Sequence, residues 1–177
     1  MFSILAGKEK LAASPKSTEV FRSLLGGTLS IFVLLSLGQW TGHLYIMAPF
    51  GATCVLLYAV SQSPLAQPRN IIFGHFISAL VGLLFIHFFE VSNLSIALSV
   101  GCAIALMQIL KCVHPPAGAN PLVILLTAEQ MSYDWHFLIF PVLLGSISLV
   151  FIAYVVNNFK STQKWPLYGL GLKKTKL

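Results

Sequence analysis

The chain has 177 residues, 56% of them hydrophobic and 9% charged, with a mean hydropathy of +0.83. Soluble domains carry about 25% charged residues, so this composition excludes a soluble surface and places the chain in a lipid bilayer. The net charge of +6 gathers in the tails, at Lys8, Lys10, Lys16 and Arg22 and at Lys160, Lys164, Lys173, Lys174 and Lys176; this suits anionic headgroups and gives no folded basic face with interleaved aromatics for nucleic acid.

Residues 1–19 read as a cytoplasmic N-terminal tail. They lack the apolar core and cleavage site of a signal peptide and are short and arginine-poor for a transit peptide. A transmembrane domain is expected over 20–158 and a basic cytoplasmic tail over 159–177. No charged residue occurs in 23–68, 70–89, 91–110, 112–128 or 135–159. A spanning helix needs about 20 apolar residues. Plain spans are therefore predicted at 22–39, 70–89, 92–110 and 135–157, the last with a kink at Pro141. Between them lie TGHLYIMAPFGATCVLLYAVSQ (41–62) and CVHPPAGANPLVILLTAEQ (112–130), each apolar and each broken by Pro and Gly. The expected fold class is all-α, a polytopic membrane helix bundle of four full transmembrane helices plus two short broken or half helices.

Shifting the second half by 67 residues sets PPAGANPLVIL beneath APFGATCVLLY. Pro49 then meets Pro116, Gly51 meets Gly118, Ala52 meets Ala119 and Thr53 meets Asn120. Ile72, Phe73 and Ser78 meet Ile139, Phe140 and Gly145. The chain thus reads as two three-segment repeats, about 20–90 and 91–158, inverted if all six segments cross. That topology puts both tails, Arg69 and Lys111 inside and Glu90, Glu129 and Asp134 outside, in line with the preference of basic residues for the cytoplasmic side. Four spans with two re-entrant segments also put both tails inside, but move Arg69 and Lys111.

By helix rules, Asn120 is expected to cap a helix starting at Pro121, and Thr53 to cap its counterpart CVLLYAVSQ. The preceding Pro-x-Gly-Ala would be extended chain lining a cavity. Two helix starts aimed at one cavity offer unpaired N–H groups and positive dipole ends, an anion site without lysine. Gly51 and Gly118 admit a solute close to the backbone, His114 adds a switchable donor, and Pro115 and Pro116 stiffen the approach. The candidate substrate-binding residues are Pro49, Gly51, Ala52, Thr53, His114, Pro115, Pro116, Gly118, Ala119 and Asn120. Lys111 reads as an electrostatic lure for anions or as a snorkelling anchor.

The other features have plainer readings. His43, His75, His87 and His136 read as packed or interfacial histidines and not relay members. Trp40, Tyr133, Trp135 and Trp165 read as headgroup-level anchors. Gly74, Ser78 and Gly82 form a small-residue stripe for close helix packing, within the chain or between copies in a homo-oligomer. Cys54, Cys102 and Cys112 fall in apolar segments and read as small hydrophobes. No nucleophile–base pair, carboxylate pair or metal-ligand spacing occurs, so neither an enzyme, a metal nor a cofactor is expected.

VHPPAGANPL, MAPFGATCVLLY and SPLAQPRNIIFGHFISALVG together resemble the HPP family of integral membrane proteins, named for its His-Pro-Pro motif, over roughly residues 20–158. The resemblance implies four transmembrane helices. It also implies transport of a small inorganic anion, with nitrite the candidate, since plastid and photosynthetic-bacterial members are associated with nitrite. Lacking a plant-type plastid extension, the chain is expected in a bacterial cytoplasmic membrane. The competing readings are a non-transporting scaffold or regulatory module acting through the basic tails, and a path for a different small solute.

Overall fold

The computed structural model of the protein describes residues 13–161 and 164–171; Lys8, Lys10, Lys173, Lys174 and Lys176 lie outside them. Among the described residues the regular elements are all helical: α1 (Ser17–Thr41), α2 (Ala48–Ala59), α3 (Pro68–Phe88), α4 (Asn93–Ile109), α5 (Asn120–Leu126) and α6 (Leu144–Asn158). Short 3-10 turns fill Pro64–Ala66, Pro115–Ala119 and Trp135–Leu138.

Local chemistry sets these boundaries. The Glu19 carboxylate accepts the Lys16 N–H at 3.0 Å ahead of α1. The helix closes on Gly42 at φ 72, a left-handed position that glycine occupies without strain. Ser92 and Ser95 cap α4 reciprocally, each hydroxyl accepting the other residue's N–H. Pro49, Pro68, Pro115, Pro116 and Pro121 all sit in the first two positions of their helices, where a missing N–H breaks no helical bond.

Three stretches are long and apolar enough to cross a bilayer, namely α1, α3 and 135–158. The remaining expected span, 92–110, is shorter than the sequence suggests. α4 has 17 residues, about 25 Å at 1.5 Å per residue against a hydrocarbon core of about 30 Å. It is trimmed because Ser92 serves as its cap and Lys111 turns back at φ 54. The segment expected at 135–157 is broken more deeply than by a kink. Pro141 disfavours helical geometry in the residue before it, and Phe140 stands at φ −120, ψ 116. The chain there runs as the 3-10 turn Trp135–Leu138, a π-type turn at Ile139–Leu143, and α6.

α3 is the central helix. It touches α4, α5, α6 and the turn Pro115–Ala119, while α1 packs on α2 and α6. Leu34, Phe50, Leu57, Ile71, Leu83, Ile124 and Leu149 meet in one buried cluster drawn from α1, α2, α3, α5 and α6. Lipid removes the hydrophobic drive between helices, so close packing and hydrogen bonds must hold them together. The stripe on α3 supplies both, within the chain. A Cβ on Gly74 would lie 2.8 Å from the His114 Cβ, and one on Gly82 would lie 2.7 Å from Ile124 Cδ1. The Ser78 hydroxyl donates to the Ala117 carbonyl. This face is filled by residues 112–124 and is not open to a second copy, which corrects the homo-oligomer expectation for it.

One end of the bundle is tied by backbone carbonyls. Arg69 donates to the carbonyls of Leu110 at 2.8 Å, Lys111 at 3.1 Å and Leu170 at 2.7 Å. Trp165 is not an interfacial anchor. It is 2% exposed, and its indole N–H donates to the Ala66 carbonyl at 3.2 Å. Tyr133 is likewise buried, its hydroxyl 2.6 Å from Thr127 Oγ1, whereas Trp40 is exposed. Tyr168 donates to the Pro64 carbonyl at 2.6 Å, so the segment after α6 closes over the turn at 64–66. Near the start of α1 the Ser23 hydroxyl donates to the Tyr58 carbonyl at 2.9 Å. At the other end His43 stacks on Phe140 at 4.4 Å and His87 on Trp135 at 4.9 Å.

The packing predicts opposite outcomes for glycines of one sequence type. Gly82→Val forces a side chain into Ile124 and the Pro121 backbone and should lower stability by about 1–3 kcal/mol. Gly51→Ala, whose added Cβ meets nothing within 4 Å, should instead stabilise by about 0.5–1 kcal/mol through helix propensity. Thermal unfolding in detergent checks both; equal effects would contradict this packing.

Candidate functional site

The two proline- and glycine-broken segments meet. Ala48, Pro49, Ala52 and Leu56 of α2 face Pro115, Pro116, Ala119 and Val123 across a cleft of about 650 Å³. Each residue in the first set has its partner in the second 67 positions later. The lining carries almost no polar surface. Both stretches start at this cleft, α2 at Ala48 and the other at Pro115.

Their local geometry differs from the expectation. Met47, not Thr53, is the N-cap of α2, and Pro-Phe-Gly-Ala is already helical. Pro115–Ala119 is a 3-10 turn that runs into α5, with Asn120 in helical geometry at φ −60, ψ −47. The chain is therefore not extended in either place, and neither Thr53 nor Asn120 caps a helix. The physical reason lies one turn upstream: prolines at the first two positions are compatible with starting the helix there, and a helical turn satisfies backbone groups that extended chain would leave bare in an apolar setting.

Thr53 and Asn120 have other work, in a fully buried polar chain behind the cleft wall. Thr53 Oγ1 lies 2.8 Å from His75 Nε2 and 2.9 Å from His114 Nε2. Asn120 Nδ2 donates to the His75 carbonyl at 2.9 Å and lies 3.2 Å from His75 Nδ1. His114 Nδ1 lies 2.9 Å from the Leu65 carbonyl. The two imidazoles are 5.0 Å apart, and His75 meets the Phe50 ring edge-on at 4.9 Å.

The hydrogens of this chain can be placed by elimination. The Leu65 carbonyl only accepts, so His114 carries its hydrogen on Nδ1 and accepts at Nε2. Thr53 then donates to His114, His75 donates from Nε2 to Thr53, and Asn120 donates to His75 Nδ1. With neutral imidazoles, each ring gives one bond and takes one; the Thr53 hydroxyl also lies 3.3 Å from the Pro49 carbonyl. Every member is satisfied, as a polar network in a dry interior requires.

The candidate residues thus fall into separate groups. Pro49, Ala52, Pro115, Pro116 and Ala119 line the cleft. Thr53, His114 and Asn120 form the polar chain, one residue away from that lining. Gly51 and Gly118 each face open space where a Cβ would be. Lys111 joins neither group; its side chain is exposed and its carbonyl is held by Arg69. His75 is the member that sequence reasoning set aside. The signal was present: a titratable residue inside a span is a site candidate, and His75 shares the helical face of Gly74, Ser78 and Gly82, the face that packs on residues 112–124.

The family described as HPP, transmembrane region, matches residues 12–166, and the chain belongs to that family of membrane proteins. It is 35% identical to one transmembrane protein of Dictyostelium discoideum over 92% of its length, and 32% identical to a second over 92%. It spans 60% and 55% of those two relatives. Neither lends support to the expected bacterial membrane. No solved structure matches the chain.

Thr53→Val keeps the side-chain shape but leaves His75 Nε2–H and His114 Nε2 without partners. Stability should fall by about 1–3 kcal/mol for each group left unpaired, and Thr53→Ser should recover most of it. Detergent unfolding of the two variants beside the parent checks this; a valine variant as stable as the parent would remove the structural role given to the chain.

Proposed function

We propose that the protein passes a small inorganic anion, nitrite first among candidates, across the membrane along the cleft between α2 and the stretch Pro115–Leu126. The observation that carries this reading is the convergence of two matched helix starts on one cleft lined, apart from Val55, by residue pairs 67 positions apart. The positive ends of two helix dipoles favour an anion there without a fixed cation. The binding mode differs from a plain cradle of N–H groups, because Pro49, Pro115 and Pro116 carry none. Attraction then rests on the two dipoles.

We read the architecture as two inverted repeats, the arrangement in which transporters place sites at discontinuous helices. Ala48–Ala59 and Pro115–Leu126 stand 67 residues apart at both ends. Their packing is reciprocal. Ser78 of the first half bonds Ala117 of the second, and Gly145 of the second packs on Phe50 of the first. These pairs exchange under the same shift. Topology fits this reading, with Arg69, Lys111 and the segment after α6 gathered at one end of the bundle. A cytoplasmic assignment of that end, with both termini, follows the preference of basic residues.

Ala52→Leu and Ala119→Leu place bulk in the cleft without touching the polar chain. Each should reduce nitrite uptake into proteoliposomes to near the protein-free background while the protein still purifies as a folded species. Gly51→Ala should slow uptake and leave folding intact. Undiminished uptake by both leucine variants would rule the cleft out as the path.

A further inference from the structure

We propose that the groove between α1 and α6 binds one phospholipid with an anionic headgroup, its phosphate held between Arg22 and Lys160 and an acyl chain laid along the groove. The site shares no residue with the cleft and stands whether or not a solute passes there.

The groove encloses about 580 Å³. Its walls are apolar, with Phe21, Leu25 and Leu29 on one side and Val155, Val156 and Phe159 on the other. Its head carries Thr18, Arg22 and Lys160. From Thr18 to Leu29 it runs about 16 Å along α1 at 1.5 Å per residue. That is about half of a 30 Å hydrocarbon core, the depth of a chain in one leaflet.

Both cations stand at headgroup level. Arg22 precedes the charge-free stretch 23–68, and Lys160 follows the charge-free stretch 135–159. Among the described residues, no carboxylate pairs with either. The nearby Glu19 carboxylate accepts the Lys16 N–H at 3.0 Å. The Lys160 ammonium rests over the Phe159 ring, 5.6 Å from its centre. Two unpaired cations above an apolar groove match a molecule that is anionic at one end and hydrocarbon at the other. A choline headgroup would bring a further cation to the two already there; an anionic headgroup does not. Arg22 also lines a second, polar cavity of about 550 Å³, together with Ser61, Gln62 and Ser63. That cavity offers the headgroup polar partners while the groove takes a chain.

The walls are held in place. The Ser23 hydroxyl donates to the Tyr58 carbonyl at 2.9 Å, and the Asn157 amide donates to the Leu57 carbonyl at 3.0 Å. The end of α2 therefore sets the spacing between the start of α1 and the end of α6. α1 is also the least buried of the three stretches long enough to cross a bilayer. A lipid seated beside it adds packing that the chain itself does not supply.

The full chain is purified in detergent and given phosphatidylglycerol, phosphatidylcholine with the same acyl chains, or glycerol phosphate. Native mass spectrometry reads retained ligand, and thermal unfolding reads protection. The expected result is a single retained phosphatidylglycerol that raises Tm, with the other two ligands retained about tenfold less or not at all. Arg22→Gln combined with Lys160→Gln should weaken phosphatidylglycerol retention on the order of tenfold. Leu25→Trp, which fills the groove and keeps both cations, should weaken it as well. Lys16→Gln combined with Lys164→Gln removes the same charge outside the groove and should leave retention unchanged. Equal retention of the two phospholipids by the parent would overturn the site. So would full retention by Leu25→Trp, or an equal loss in the two double variants. Glycerol phosphate retained as well as phosphatidylglycerol would show a free-phosphate site and overturn the lipid.

Discussion

One hydroxyl holds the centre of this protein. Thr53 Oγ1 bonds two imidazoles at once, one on α3 and one at the entry to the Pro115–Ala119 turn, so α2, α3 and that turn share a single polar contact. In a dry helical interior such a contact has no substitute from water, and each unpaired group costs about 1–3 kcal/mol. The rest follows from its geometry. α3 must approach residues 112–120 closely enough for His75 and His114 to share Thr53. That approach requires Gly74 at the His114 Cβ and Gly82 at Ile124. The small-residue stripe and the polar chain are therefore two sides of one contact.

The prolines act in concert with it. His114 is the last extended residue before the turn, at φ −137 and ψ 101, a geometry that the following proline favours. This orients the ring back toward α3 while the chain ahead enters a helix. Pro115 and Pro116 thus place His114 and begin the cleft wall in the same step. The name-giving motif is a positioning device for its histidine, and the cleft takes its apolar character from the prolines.

Much of this organisation was legible in the sequence. Charge-free runs located the helices, and the 67-residue shift matched the bounds of α2 with those of Pro115–Leu126. The motifs around Thr53 and Asn120 were singled out, and they do meet. What failed was local. Capping preferences read Thr53 and Asn120 as helix starts, because Pro at a first helical position was applied to Pro121 and not to Pro115 or Pro49. Trp165 carries the signature of an interfacial anchor, yet only tertiary contacts show that Ala66 accepts its N–H. His75 looked like any packed histidine, because its partners lie 22 and 45 residues away along the chain. A one-dimensional pattern carries periodicity and breaks well. It carries no record of which polar groups will be forced to satisfy one another.

The same shift shows where the two halves part company. It places His75 on Val142 and His114 on Met47, both apolar and buried, while Thr53 falls on Asn120. The cleft lining is matched except at Val55, but Pro115–Ala119 is a 3-10 turn where α2 is α-helical, and both imidazoles have apolar counterparts. A symmetric pair of histidine sites would add two further buried imidazoles, each needing partners. The apolar counterparts avoid that cost and give the hydrogen-bond chain a single polarity, from Asn120 toward Leu65. The two stretches line one apolar cleft, and the polar chain behind its wall takes its direction from the Leu65 carbonyl at His114 Nδ1.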